Sequence, residues 1–145
     1  MIVITNGQKQ MTISIDSYQY KYMKSKADEF DYDANWLDVA VSYYDGEKEH
    51  KDLDPCLLTT ELVELAEELE KVVAGEEDSY VSDFLEPYLK IVYARDVDRI
   101  AVIAHFVYDT EGPWKTWKIT QFMQQTEAKA LLEELKAMSA KYPVR

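Results

Sequence analysis

Two periods of hydrophobic repetition divide the chain. Apolar and polar positions alternate at Met11, Ile13 and Ile15, as they do where successive side chains point to opposite faces of a pleated strand. Tyr18, Tyr20 and Tyr22 continue this run on the other phase, as after a bulge or bend. Leu37, Val39, Val41 and Tyr43 form a second strand, closed by Asp45-Gly46, a dipeptide suited to a hairpin turn at positive φ. Three further strands are read at Leu89, Ile91 and Tyr93, at Ile100, Val102, Ala104, Phe106 and Tyr108, and at Trp117, Ile119 and Met123. Asp96-Val97-Asp98 and Glu111-Gly112-Pro113 separate these three, which predicts an antiparallel meander.

Two segments switch to helical spacing. Leu62, Leu65, Ala66, Leu69, Val72 and Val73 make one apolar stripe. Thr59 or Thr60 is placed to cap its start, Glu61 suits the positive end of the helix dipole, and Gly75 stands where a left-handed residue ends a helix. Ala128, Leu131, Leu132, Leu135, Met138 and Tyr142 repeat the pattern, with Thr126 as the expected N-cap and Pro143 just past the end. Each helix has one face to bury. The expected fold is α+β: an antiparallel sheet of about six strands with two amphipathic helices packed on one face. With 145 residues, no internal sequence repeat and no linker, it is expected to be one domain over residues 1–145.

Composition adds little until charge is considered. Hydrophobic residues at 47% and charged residues at 30% are ordinary for a globular chain. Cys56 is the single cysteine, so no internal disulfide or multi-thiolate metal site can form. With neither a signal-like start at Met1–Gly7 nor an apolar run of about 18 residues, the expected location is the cytoplasm. The net charge of −12 opposes binding to phosphate backbones and anionic lipid, so neither nucleic acid nor membrane is expected as a partner. That charge is unevenly distributed: residues 1–26 and 114–145 each carry +3, and residues 27–113 carry −18.

The residues offer little for catalysis. His50 lies in the charged run Glu47–Asp52 and reads as an edge or loop residue, and His105 as a strand residue hydrogen-bonded to a neighbour. Cys56, flanked by Pro55 and Leu57-Leu58, reads as a buried, inert thiol. The four glycines are isolated, so no phosphate-cradling loop is present, and no cofactor is expected. Asp31-x-Asp33-x-Asn35 matches the opening of a calcium loop, but Trp36 stands where glycine is required and Ser42 where the bidentate glutamate belongs. No metal site is expected either. Paired carboxylates discriminate poorly among 28 acidic residues, which leaves a carboxylate-based hydrolase as a weak third reading.

What stands out is a surface property. The polar side of the first long helix is Glu61, Glu64, Glu67, Glu68 and Glu70 with a single Lys71, followed by Glu76, Glu77 and Asp78. Like charges at i,i+3 and i,i+4 cost a few tenths of a kcal/mol per pair in an isolated helix. Residues 28–33 add acids interleaved with aromatics. Plain solubility explains such charge in general. The sharper alternative is electrostatic steering toward a basic protein, which raises association rate more than affinity. The residues expected to meet that partner are Asp28, Glu29, Asp31 and Asp33, the helix face Glu64, Glu67 and Glu68, and Glu76, Glu77 and Asp78. The alternative is a small-ligand-binding α+β domain with Tyr18, Tyr20, Trp114 and Trp117 lining an aromatic cleft.

Several motifs carry a family resemblance. Asp31-Tyr-Asp-Ala-Asn-Trp-Leu37 leads into a strand, Cys56-Leu-Leu-Thr-Thr-Glu-Leu62 opens a helix, Phe84-Leu-Glu-Pro-Tyr-Leu89 opens a strand, and Leu135 through Lys141-Tyr-Pro-Val-Arg145 closes the chain. In this order they resemble WapI-type immunity proteins, although residues before Asp31 and the loop 45–55 carry no match. The resemblance implies a non-enzymatic bacterial cytoplasmic protein of the polymorphic-toxin class. It would bind and neutralise the C-terminal domain, a nuclease in known cases, of a cognate contact-dependent toxin. It implies no catalytic residues, and it casts Trp36 as a core anchor and Pro87 as a strand-entry turn.

Overall fold

A computed structural model describes residues 1–26 and 29–145. The strands form two four-stranded antiparallel sheets instead of one sheet of about six. The first contains β1 (Ile2–Asn6), β2 (Lys9–Tyr18), β3 (Trp36–Tyr44) and β4 (Glu49–Leu58) in that order, and the second contains β5 (Ser79–Val81), β6 (Leu89–Asp96), β7 (Arg99–Asp109) and β8 (Lys115–Met123). A short helix α1 (Tyr32–Asn35) precedes β3, α2 (Thr59–Ala74) follows the first sheet, and α3 (Gln125–Lys141) follows the second. The chain thus runs twice through four meandering strands and a long helix, a repetition of topology that the sequence does not display.

The extra strands were hidden for different reasons. β1 is five residues with two buried positions, Ile2 and Ile4, and β5 is only three residues. β4 is an edge strand whose outer half is charged, and its pairing with β3 slips where Pro55 falls, the usual place for proline in a sheet. Register also shifts on β2 between Ile15 and Ser17, which accounts for the change of phase at Tyr18. Tyr20 and Tyr22 lie beyond that strand, and Tyr22 is almost fully exposed.

The two sheets meet along β1 and β8. There the Thr5 N–H donates to Gln121 Oε1 at 2.8 Å and Asn6 Nδ2 donates to the Thr120 carbonyl at 2.9 Å. Trp117 of β8 stacks on Tyr43 of β3 with ring centroids 5.8 Å apart, and on Tyr108 at 4.6 Å. The helices do not share one face of one sheet. They pack on each other, α2 against β4, β5 and β6, and α3 against β1, β7 and β8. A single apolar cluster joins both sheets to the buried stripes Leu62, Leu65, Leu69 and Val72 of α2 and Ala128, Leu131, Leu135 and Met138 of α3. Each buried leucine contributes about 1.5–3 kcal/mol relative to an exposed one.

The helix ends depart in detail from the expected caps. α2 begins one residue early, with Leu58 at the N-cap position and its N–H donating to Glu61 Oε1 at 2.9 Å. α3 is likewise capped at Gln124, where Glu127 receives the Gln124 N–H, and not at Thr126. Gly75 ends α2 at φ +78°, as its position suggested.

Candidate functional site

The acidic residues named above fall around α2. The segment before β3 is set by Asn35, which is fully buried. Its Nδ2 donates to the Asp31 carbonyl at 2.8 Å and the Arg145 carbonyl at 2.9 Å, and its Oδ1 accepts from Thr59 Oγ1 at 2.6 Å and the Arg145 N–H at 2.8 Å. Asp31 caps α1 by accepting the Asp33 N–H at 2.9 Å. The anchor of the Asp31–Leu37 motif is therefore Asn35, together with the buried Leu37. Trp36 is only half-buried and lies outside the core cluster, contrary to its expected role. Pro87 does lie in the turn that enters β6.

Phe30 and Tyr32 emerge beside the start of α2, where a shallow depression is lined by both rings, Leu58, Thr60, Glu61, Asp83 and Leu85. Glu61 binds the two backbones there, accepting from Leu58 N and, at 2.8 Å, from Leu85 N. Burial pushes the Glu61 carboxyl above its usual range, and the two N–H groups pull it partly back.

Further along α2 the glutamates part to two flanks, because residues three and four apart share a face. Glu64 accepts from Tyr80 Oη of β5 at 2.6 Å. Glu68 lies 3.2 Å from Lys71 Nζ, which also reaches Glu77 at 3.9 Å. The closeness of the Glu68 and Glu77 carboxyls lowers the first and raises the second. On the other flank Glu67 and Glu70 border the crevice toward α3, where Lys136 meets Glu70 at 3.0 Å.

The ten expected partner residues therefore separate. Asp28 lies outside the described residues. Asp31, Glu64, Glu68 and Glu77 are engaged in caps, hydrogen bonds or ion pairs. Glu29, Asp33, Glu67, Glu76 and Asp78 are exposed, and among the described residues no ion pair engages them. α2 rises about 24 Å over its 16 residues, so carboxylates at its start, middle and end form a ridge with gaps comparable to the ~10 Å Debye length at 0.1 M salt. Asp83, Glu86, Asp54 and Asp38 were missed. Burial is the main cause that raises the Asp54 carboxyl, with Asp52, Glu86 and Asp38 adding repulsion. The signal was present in Asp52-Leu-Asp54, but only the pairing of β3 with β4 brings Asp38 near.

These groups set a pH dependence. Burial first, then neighbouring carboxylates, holds Asp38 and Asp54 above their unfolded values, and Glu61 is raised likewise. The stability they confer is complete below the ordinary carboxylate range of about 4 and is lost as pH rises through their folded values. Asp45 opposes them: hydrogen bonds from Lys48 N–H, His50 and Glu47 N–H hold it well below that range, so its contribution disappears in strong acid. Asp54→Asn, which removes the raised carboxyl, is expected to increase the melting temperature relative to the wild-type chain more at pH 8 than at pH 4. An effect of Asp54→Asn that is the same at both pH values contradicts this assignment.

The alternative aromatic cleft does not assemble. Tyr18 packs on Tyr142 with centroids 5.6 Å apart, Trp114 on Tyr88 at 5.5 Å, and Trp117 on Tyr43, Phe106 and Tyr108. Among the described residues, five surface depressions are lined by other side chains and not by Tyr18, Tyr20, Trp114 or Trp117. Cys56 is buried on β4 and burial raises its thiol, while His105 stands on β7 of the other sheet. His105 lies in register between Lys90 and Lys118. Burial and those two lysines lower its pKa, and among the described residues no hydrogen bond reaches its ring. Among the described residues no group of three His, Cys, Asp or Glu is arranged to hold a metal ion. Among the described residues no helix is long and apolar enough to cross a membrane.

Comparison with known proteins gives one family. The model of the Immunity protein WapI-like family matches residues 1–143. Among curated proteins none matches in sequence. A chain from the structure of the plant transcriptional regulator PBF-2 superposes with a TM-score of 0.49 at 12% identity, covering 97% of this chain and 80% of that one.

Proposed function

The chain belongs to the WapI-like immunity protein family, and from that premise we propose that it binds and neutralises the C-terminal domain of a cognate contact-dependent toxin. It acts by occlusion, without catalysis, in the cytoplasm of the cell that makes it. The toxin domain is a nuclease, and its surface is basic because it must hold a phosphate backbone. The docking surface is the acidic side of α2 with the segment before β3. The observation that carries this reading is the concentration of charge on and beside α2, where Glu29 and Asp33 before β3, Glu67 on the helix, and Glu76 and Asp78 after it stand exposed and, among the described residues, outside ion pairs. Solubility alone does not call for like charges at i,i+3 and i,i+4 along one helix, as Glu61, Glu64, Glu67, Glu68 and Glu70 stand on α2.

The test is protection. Cells expressing the toxin domain encoded beside this chain are expected to grow when the chain is co-expressed and to die without it. Death in both cases overturns the reading.

A further inference from the structure

Within the acidic surface one place differs in kind. Phe30 and Tyr32 are 43% and 54% exposed and meet edge to face, with centroids 5.1 Å apart and planes at 87°. Leu85 is 62% exposed and lines the same depression. Exposed rings and a leucine gathered at one site are the composition of an interface centre rather than of a solvated loop.

The patch is also held ready. Glu61 Oε2 accepts the Leu85 N–H at 2.8 Å while its other oxygen accepts the Leu58 N–H at 2.9 Å, which ties the loop to the start of α2. Phe84, the neighbour of Leu85, is buried. Asp31 caps α1 between the two rings, and the buried Asn35 holds the Asp31 carbonyl. A surface already ordered loses less conformational entropy on binding. Around it stand the exposed carboxylates Glu29, Asp33 and Asp83, outside any ion pair among the described residues.

We propose that Phe30, Tyr32 and Leu85 form the affinity anchor of the toxin interface, an apolar centre in a carboxylate rim. Its occupant is a protruding Lys or Arg of the basic toxin domain, whose aliphatic stem covers Leu85 and whose charged head lies against the rings and the rim. The rings supply cation–π attraction and the carboxylates supply charge complementarity. This rests on the toxin-binding reading above and adds to it where the affinity resides, as distinct from where the charge resides.

The experiment measures association and dissociation rates separately, by biolayer interferometry, between the full chain and the toxin domain encoded beside it. Phe30→Ala with Tyr32→Ala, and Leu85→Ala alone, are each expected to raise the dissociation rate by about tenfold or more, the scale of an interface hot spot. The association rate and its salt dependence are expected to stay near the wild-type values. Phe30→Tyr and Tyr32→Phe, which keep the rings, are expected to keep the wild-type dissociation rate. Melting temperatures near wild type exclude a folding defect, since all three side chains are exposed. Dissociation rates within about twofold of wild type in both alanine variants, with the wild-type complex intact, overturn the anchor and leave the toxin-binding reading standing. Failure of the wild-type chain to bind overturns both.

Discussion

Asn35→Ala is expected to lower the free energy of unfolding by about 3–5 kcal/mol, since each buried group left without its partner costs about 1–3 kcal/mol. The side chain uses both of its ends. Its amide donates to the carbonyls of Asp31 and Arg145, and its oxygen accepts from Thr59 Oγ1 and the Arg145 N–H. Alanine leaves the buried Thr59 hydroxyl without this acceptor and frees the last residue from the segment before β3. Asn35→Asp keeps the acceptor but removes the donor and buries a charge, so it is expected to cost at least as much. Chemical denaturation with an unchanged m-value checks this. A loss below about 1 kcal/mol contradicts the assignment of Asn35 as the anchor. Because Asn35 also holds Asp31, Asn35→Ala is expected to loosen the Phe30–Tyr32 patch and weaken the toxin complex beyond its effect on folding.

Reversing the exposed carboxylates is the second large effect. Glu29, Asp33, Glu67, Glu76 and Asp78 are exposed and make no ion pair among the described residues, so their replacement by lysine removes charge without breaking a cap. Asp31 and Glu61 are excluded from the set because each holds backbone N–H groups. Electrostatic steering accelerates association by about 10 to 1,000-fold, so the five reversals together are expected to slow it by about a hundredfold at low salt. The melting temperature is expected to rise or hold, since repulsion among the crowded carboxylates on and beside α2 is relieved. Stopped-flow association with the toxin domain gives the number. Rates that match wild type contradict the account of the charge.

Periodicity was enough to locate the long elements, since the α2 stripe of Leu62, Leu65, Leu69 and Val72 is the one that is buried. It failed where strands lack an apolar face of their own. β4 carries Glu49, Lys51, Asp52 and Asp54 because it is an edge, and β5 is too short to show a period. The division into two sheets depends on which edges meet, at Thr5 with Gln121 and Asn6 with Thr120, more than 110 residues apart, and no local pattern encodes that. For the site, the acidic residues were legible as composition, but their division into structural and open groups was not. Glu64 differs from Glu67 only because Tyr80 reaches one flank of the helix, and Leu85 joins Phe30 and Tyr32 only because Glu61 binds its backbone. The Asn35 hub was partly legible, since the Asp-x-x-x-Asn-Trp-Leu motif contains it, but the family resemblance cast Trp36 as the anchor, and only the fold shows that Asn35 is the buried one.

The central claim is that an acidic surface meets a basic toxin domain, and the salt dependence of association tests it most directly. The association rate of the wild-type chain with the toxin domain, measured by stopped flow between about 20 mM and 500 mM salt, is expected to fall steeply as screening shortens the Debye length. An association rate independent of salt across that range contradicts it.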